Sequence, residues 1–321
     1  MLADLHFIGI DVSKERLDVH LHPAGRAFSA ANTPAGFAAL IARFRRLGVG
    51  AIGFEASGGY EKRAANALAA AGFTVHILDP AQVRCFARAM KSLAKTDAID
   101  AAMIARYVAT ARDVLRAYTP DAARERISAL AAERRRLKDE EKALNSRRDT
   151  TSEPVLRRMQ QQRLKLIAAE IAELEAEIAT QIEADDALAQ QAARLRSLPG
   201  VGPVLTMTLI AELPELGRTG PRQLASLVGV APHARQSGKI ARSGKCSGGR
   251  KPVRDVLYMA TLSAIRAKLP HLHPFYKRLR EAGKPFKVAL IATMRKFLTI
   301  INAVIRDNTD FRTSTPSSTV A

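Results

Sequence analysis

The rhythm of hydrophobic and polar positions changes along the chain, and each change predicts a different kind of element. Leu5 to Ser13 (LHFIGIDVS) is an apolar run ending in an acid, and RLDVHLHP then alternates Leu17, Val19 and Leu21 with polar residues before Pro23-Ala24-Gly25. These read as a strand and its hairpin partner. Phe37 to Gly48 has helical spacing and a glycine stop. Ala51 to Ser57 (AIGFEAS) is a second buried strand, ending in Glu55. YEKRAANALAAAG then reads as helix and FTVHILDP as strand, and a less regular stretch leads to an alanine-rich helix that includes Asp97. Strands alternating with helices predict an α/β domain over residues 1–118.

From Pro120 the pattern becomes purely helical. Ile127, Leu130, Leu137 and Leu144 keep to one face, Pro154 interrupts, and Leu164, Ile167, Ile171, Leu174 and Ile178 then recur at alternating spacings of three and four. That is the seam of a coiled coil, formed within one chain as an antiparallel hairpin or between chains as a dimer contact; a plain helical arm fits as well. This arm spans 119–195. A mainly α domain covers 196–310, where the glycine turn of SLPGVGPVLTMTLIAEL links two helices and an apolar segment runs into a loop of Gly, Ser, Lys and Arg before another helix. Residues 311–321 form a polar, disordered tail.

Charge changes the picture. Fifty Lys and Arg face 31 Asp and Glu, a formal net charge of +19, and the segment from Pro232 to the end alone holds 18 cations and four acids. A domain this basic repels itself unless it meets a polyanion, and nucleic acid is the polyanion that fits. A membrane surface fits less well: Met1 to His6 lacks a basic segment followed by an apolar core, and no apolar run reaches bilayer-spanning length, so the expected place is the bacterial cytoplasm, with the nucleoid. Two cysteines, Cys85 and Cys246, suit a reducing compartment and exclude a thiolate metal cluster. His271 and His273 have no Cys or acidic partner nearby and read as surface.

Against this basic background the acids stand out. Asp97 and Asp100 lie one helical turn apart in KTDAIDAAMIARY, where like charges repel and Lys95 offsets only part of the cost. Alone, the pair could be an N-cap and a first-turn residue favoured by the helix dipole. Asp11 and Glu55, however, close two apolar strands, and strand ends are where an open α/β sheet carries its functional crevice. If the Asp97 helix packs at the same edge, four carboxylates meet, a costly arrangement unless divalent cations neutralise it. Hard oxygen ligands favour Mg2+ or Mn2+, and two such ions stabilise in-line displacement at phosphate. Asp, Glu, Asp-x-x-Asp, with GIDVSK at the first and FEASGGY at the second, resembles the RuvC-like branch of the ribonuclease-H superfamily.

The C-terminal half supplies phosphate ligands. Gly200-x-Gly202 between two helices resembles a helix-hairpin-helix, whose turn amides bind a DNA phosphate; a tight interhelical turn is the structural alternative. Beyond it, Lys239, Arg242, Lys245, Arg250, Lys251 and Arg254 suit phosphate, and Ser237, Ser243 and Ser247 offer hydroxyls that chemistry alone does not rank.

Taken together, FIGIDVSKERLDV, FEASGGY, KTDAIDAAMIAR, LPGVGPVLT and LVGVAP…GGRKPVRDVLYMA resemble the insertion-sequence transposases of the one-ten family, in order and over nearly the whole chain to about Arg306. The resemblance implies a DNA recombinase in which Asp11, Glu55, Asp97 and Asp100 bind Mg2+ or Mn2+ and a serine attacks DNA and becomes linked to it. Ser247, in KCSGGRKPVRDVLYM, is the counterpart of that serine; Gly248 replaces the usual lysine and the spacing is one residue short, which keeps Ser243 as the fallback. It also implies a homo-oligomer (dimer or tetramer) guided by a structured noncoding RNA that pairs with donor and target DNA. This accords with the charge and with the absence of a zinc finger, of a clear recognition helix and of Trp. The competing functions are a hydrolytic RuvC-like nuclease and a non-catalytic DNA-binding protein.

Overall fold

A computed structural model describes residues 5–90, 97–148, 150–237 and 240–311, and its contacts divide the chain into two units, Met1–Asp121 and Ala122–Ala321. Expectations resting on Lys239, on the tail beyond Phe311, and on the side chains of Asp97, Ser237, Arg242, Ser243 and Lys245 fall outside the described residues.

In the first unit, strands β1 (His6–Val12), β2 (Arg16–His22), β3 (Arg26–Ala31), β4 (Val49–Glu55) and β5 (Val75–Leu78) form one sheet in the order β3-β2-β1-β4-β5. The first three are antiparallel, and β4 and β5 continue the sheet in parallel with β1. Alternation decides the two faces. Ile8, Ile10, Leu17, Val19, Ile52 and Phe54 point to one side and are fully covered, together with Leu40 and Phe44 of helix α1 (Pro34–Phe44) and Leu68 of α2 (Lys62–Ala70). Each such side chain contributes about 1.5–3 kcal/mol by leaving water. α1 begins on Thr33, whose hydroxyl accepts from the Gly36 amide, with Pro34 preset for the first turn.

Phe7, Gly9 and Asp11 of β1, with Ala51, Gly53 and Glu55 of β4, occupy the other face. Helix α4 (Asp97–Ala111) lies on it. Its approach depends on Gly9: a Cβ there would come within 2.1 Å of the Ala101 carbonyl oxygen and 2.3 Å of the Ala105 nitrogen. Glycine under alanine lets the helix rest directly on the strand backbone. Farther along α4, Ile104 and Val108 pack with Leu78 of β5 and with Phe7 and Ala51, near the starts of β1 and β4, and Arg112 just past the helix lies over the Phe7 ring. The helix therefore runs against the direction of those strands, and its first turn is at the end of the sheet where they finish.

Two elements of this unit differ from expectation. β3, RAFSAA, carries little apolar signal because it is an exposed edge strand. The stretch after β5 is a regular helix, α3 (Pro80–Ala89), capped by Asp79, whose carboxylate accepts from the Ala81 amide at 2.8 Å.

In the second unit, α5 (Ala122–Arg148) and α6 (Pro154–Glu183) pair as an antiparallel hairpin within the chain. Leu137, Ile167 and Ile171 form the buried distal seam, and Arg134 with Glu175 (2.6 Å) and Arg163 with Glu140 (2.5 Å) bridge the helices. A core follows, built from α7 (Asp186–Ser197), α8 (Pro203–Glu212), α9 (Pro221–Val228), α10 (Lys251–Arg266) and α12 (Phe286–Arg306) with the near ends of α5 and α6, while α11 (His273–Glu281) buries none of its residues. Its centre is Leu209, Ile210, Leu224, Val253, Leu257, Phe297 and Ile301, each below 1% exposed.

Here too the structure corrects two expectations. The segment read as a loop contains an antiparallel ribbon, β6 (Pro232–Ser237) with β7 (Ile240–Cys246). And α12 is, by length and composition, apolar enough to cross a membrane, although half of that stretch is buried within this unit. Lys287, Arg295, Lys296 and Arg306 break the apolar run in sequence, while the helix they sit in stays apolar over most of its length.

Candidate active site

Asp11 and Glu55 are brought together by strand register. Ile10 pairs with Phe54, so the next residues stand side by side at the ends of neighbouring parallel strands, about 4.8 Å apart along the hydrogen-bonding direction. Asp97 and Asp100 occupy the first turn of α4, on the same face and toward the same end of the sheet; Asp97 stands one turn before Ala101, the residue that touches Gly9. The helix dipole favours both acids there by about 0.3–1 kcal/mol each. Among the described residues no three His, Cys, Asp or Glu side chains are gathered closely enough to share a metal, and the Asp97 side chain is outside that set. The donor chemistry nonetheless fits a hard cation: carboxylate oxygens only, on adjoining strand ends.

The surroundings of these acids hold residues that the sequence did not single out. Asp18 is directly across from Asp11 in the β1–β2 register and would add a further negative charge. Both of its oxygens are engaged: Arg16 Nε donates to one at 2.9 Å and Ser29 Oγ to the other at 2.6 Å. His20, across from Gly9, is pushed below its ordinary pKa by burial first and by His22 second, so it brings no positive charge to this face at neutral pH.

The loops after the two strands are also fastened. Glu61, 4% exposed, accepts from the Ser57 amide (3.1 Å), the Ser57 hydroxyl (2.9 Å) and the Gly59 amide (2.9 Å), closing the turn that follows Glu55. Asn32 Nδ2 donates to the carbonyls of Ser13 and Tyr60, tying the turn after β1 to the turn after β4. The signal for Glu61 was present in EASGGYE: glycines that need an anchor, and an acid at the start of a helix.

Ser247 is exposed in the short connection between β7 and α10. It lines a cleft of about 480 Å³ with Arg254, Asp255, Tyr258 and Lys287. The connection is held by backbone. Gly248 and Gly249 have φ of +71° and +72°, and a Cβ on Gly249 would stand 2.3 Å from the Gly229 nitrogen, so no other residue fits at 249 without moving the end of α9. The Arg250 amide donates to the Leu227 carbonyl at 2.8 Å, and Arg254 Nη1 donates to the carbonyls of Gly248 and Val228. Asp255 puts a carboxylate into the same cleft as the serine.

The predicted phosphate ligands divide by where their donors go. The Arg250 guanidinium turns inward to form a two-pronged pair with Glu215 (2.5 and 2.7 Å) and to donate to the Glu212 carbonyl. Lys251 is exposed and pairs with Asp255 at 2.5 Å. Gly200 and Gly202 lie between α7 and α8; Gly200 has φ of +94°, and Gly202, at the N-cap of α8, has open space beside it.

Known proteins are similar in sequence to both parts of the chain. Residues 8–151 match a family model described as "Transposase", the DEDD type of IS110, and residues 192–277 match one described as "Transposase IS116/IS110/IS902 family". A pilin gene-inverting protein of Moraxella bovis is 28% identical over 315 residues, covering 95% of this chain and 97% of that one, and its Moraxella lacunata counterpart gives the same figures. An insertion element IS900 uncharacterized 42 kDa protein of Mycobacterium paratuberculosis is 29% identical over 170 residues, 49% of this chain and 42% of that protein.

Proposed function

The chain belongs to the IS116/IS110/IS902 family of transposases, and from that premise we propose that it cuts and rejoins DNA strands at the ends of its own element through a covalent Ser247–DNA intermediate. The observation that carries this reading is the pairing of Asp11 with Glu55 at the strand ends, with the first turn of α4 bringing Asp97 and Asp100 to the same end. These four carboxylates would hold Mg2+ or Mn2+, which when bound polarises the scissile phosphate and stabilises charge on the attacking and leaving oxygens. Lys245, Arg254 and Lys251 hold the phosphate oxygens. Ser247 Oγ forms the bond to phosphorus, its proton passes to an acceptor such as Asp255, and the deoxyribose oxygen of the cut strand leaves with a proton from water. Reversal of the same step by a hydroxyl of the new partner strand releases the serine and completes the exchange. Hydrolysis would discard the bond energy that the serine ester keeps.

The other arms of the reading are a DNA partner gripped through Gly200, Gly202, Lys239 and Arg242, a structured noncoding RNA that supplies sequence choice by base pairing, and a homo-oligomer, with the α5–α6 hairpin as a coiled-coil arm. Arg250 serves differently: its pairing with Glu215 supports a role in setting the Ser247 connection. The test is denaturing electrophoresis after incubation with element-end DNA, its RNA and Mg2+. Protein shifted by attached DNA is the expected product. Cut DNA free of protein would instead assign a hydrolytic nuclease, and intact DNA a binding protein.

A further inference from the structure

The cleft that contains Ser247 does not end there. A second cleft of about 910 Å³ adjoins it, and the two share Val230, Cys246 and Ile291. One wall is the β6–β7 ribbon at Pro232, Gly244 and Cys246; the other is the face of α12 from Lys287 through Ile291 and Arg295 to Thr299. At 1.5 Å per residue that face is about 18 Å long, the span of a few nucleotides of an extended strand. This is the half of the apolar α12 that the core leaves uncovered.

The lining has two chemistries at once. Its floor is aliphatic, with Val288 52% exposed beside Ile291 and Ala292. Its cations are Lys287, Arg295 and Lys296, and Lys296 is steadied over the Phe275 ring at 4.8 Å from the centroid. Among the described residues no acid lines the larger cleft, and Asp255 in the smaller one is paired with Lys251. A duplex presents phosphate and sugar outward and keeps its bases stacked inside, so an aliphatic floor offers it nothing. An unpaired strand presents both phosphates and base faces, and a positive groove with an apolar floor accepts both. We propose that this groove is a track for single-stranded DNA that delivers an unpaired strand to Ser247.

The proposal rests on the Ser247 reading for the identity of the strand, but binding and chemistry can be measured apart. The probe is a fluorescent oligothymidylate of about ten nucleotides, within the site sizes that single-strand grooves take. Its binding to the full chain is followed by anisotropy, next to an oligouridylate and a DNA hairpin duplex. Val288→Glu alters an exposed position and Lys296→Gln a half-buried one, and circular dichroism verifies that both fold. Each should weaken oligothymidylate binding about tenfold while duplex affinity stays within about twofold. Ser247→Ala should bind the probe as the unaltered chain does. Unchanged strand affinity in both variants would overturn the track, as would an equal loss of duplex affinity, which marks general phosphate contacts, or tighter binding of oligouridylate, which marks an RNA groove. If instead the groove variants lose strand binding but Ser247→Ala still yields DNA-linked protein, the track stands and the nucleophile reading fails.

Discussion

At the scale of single residues the sharpest contrast is between acids that stabilise and acids that cost. Glu61 accepts three hydrogen bonds while buried, and Glu61→Ala would leave the Ser57 and Gly59 amides without their acceptor. A loss of about 1–3 kcal/mol in urea unfolding is expected, together with lower strand cleavage because the turn after Glu55 loosens. Asp11 behaves in the opposite way. It stands beside Glu55 and across from Asp18, so Asp11→Asn relieves repulsion, and the metal-free protein should be as stable as before or slightly more so while cleavage in Mg2+ is lost. Full activity in that variant would remove the metal site from the account. A third residue gives a pH signature. His271 is pushed below its ordinary pKa by burial, and its ring packs against Phe297 and Phe311 with both nitrogens shielded. The unfolded chain therefore takes up this proton more readily. The contribution of His271 is complete above a pH of about 6.5 and declines as pH falls below it. His271→Phe should flatten that decline in thermal melts between neutral and acid pH, and an unaltered acid limb would contradict it.

Among elements, the decisive contact is α4 on β1. Gly9→Val would drive a side chain into the Ala101 carbonyl and Ala105 amide, lifting the helix that carries Asp97 and Asp100. The overpacking cost is about 1–3 kcal/mol or more, and hydrogen exchange should rise in α4 before it rises in β2. If α4 exchanges as in the unaltered protein, the helix is held by something other than this contact. The same scale accounts for how much could be read beforehand. β1, β4, β5 and α4 were legible because apolar runs and alanine spacing report burial directly, and the strand-ending acids Asp11 and Glu55 announced the edge of the sheet. β3 was not, because RAFSAA buries too little to alternate, and β6–β7 was not, because PHARQS and IARSGKC pair through backbone while their side chains are mostly polar. Asn32 escaped notice for a related reason: its partners are backbone carbonyls, which leave no trace in side-chain pattern.

For the molecule as a whole, charge and core do not separate. The cations are densest after Pro232, yet α10 and α12 in that segment share their core with α8 and α9, so a chain ending at Gly229 would lose Val253, Leu257 and Phe297 and should not fold. Salt dependence is better tested by neutralising exposed cations such as Lys251 and Lys287. Each phosphate contact removed should lower the slope of log K against log salt by about 0.7 for a single strand. A slope that does not change would put the nucleic-acid surface elsewhere. The central claim, however, is chemical and concerns one oxygen atom. Trypsin cuts after Lys245 and Arg250, so Ser247 lies in the peptide Cys246–Arg250 and Ser243 in a different one. Mass spectrometry of protein recovered from the Mg2+ reaction with element-end DNA and digested by trypsin and nuclease should find Cys246–Arg250 carrying a nucleotide through Ser247, with no such adduct from Ser247→Ala or Asp11→Asn protein. A nucleotide on Ser243 instead, or cut DNA with no modified peptide, would contradict the account.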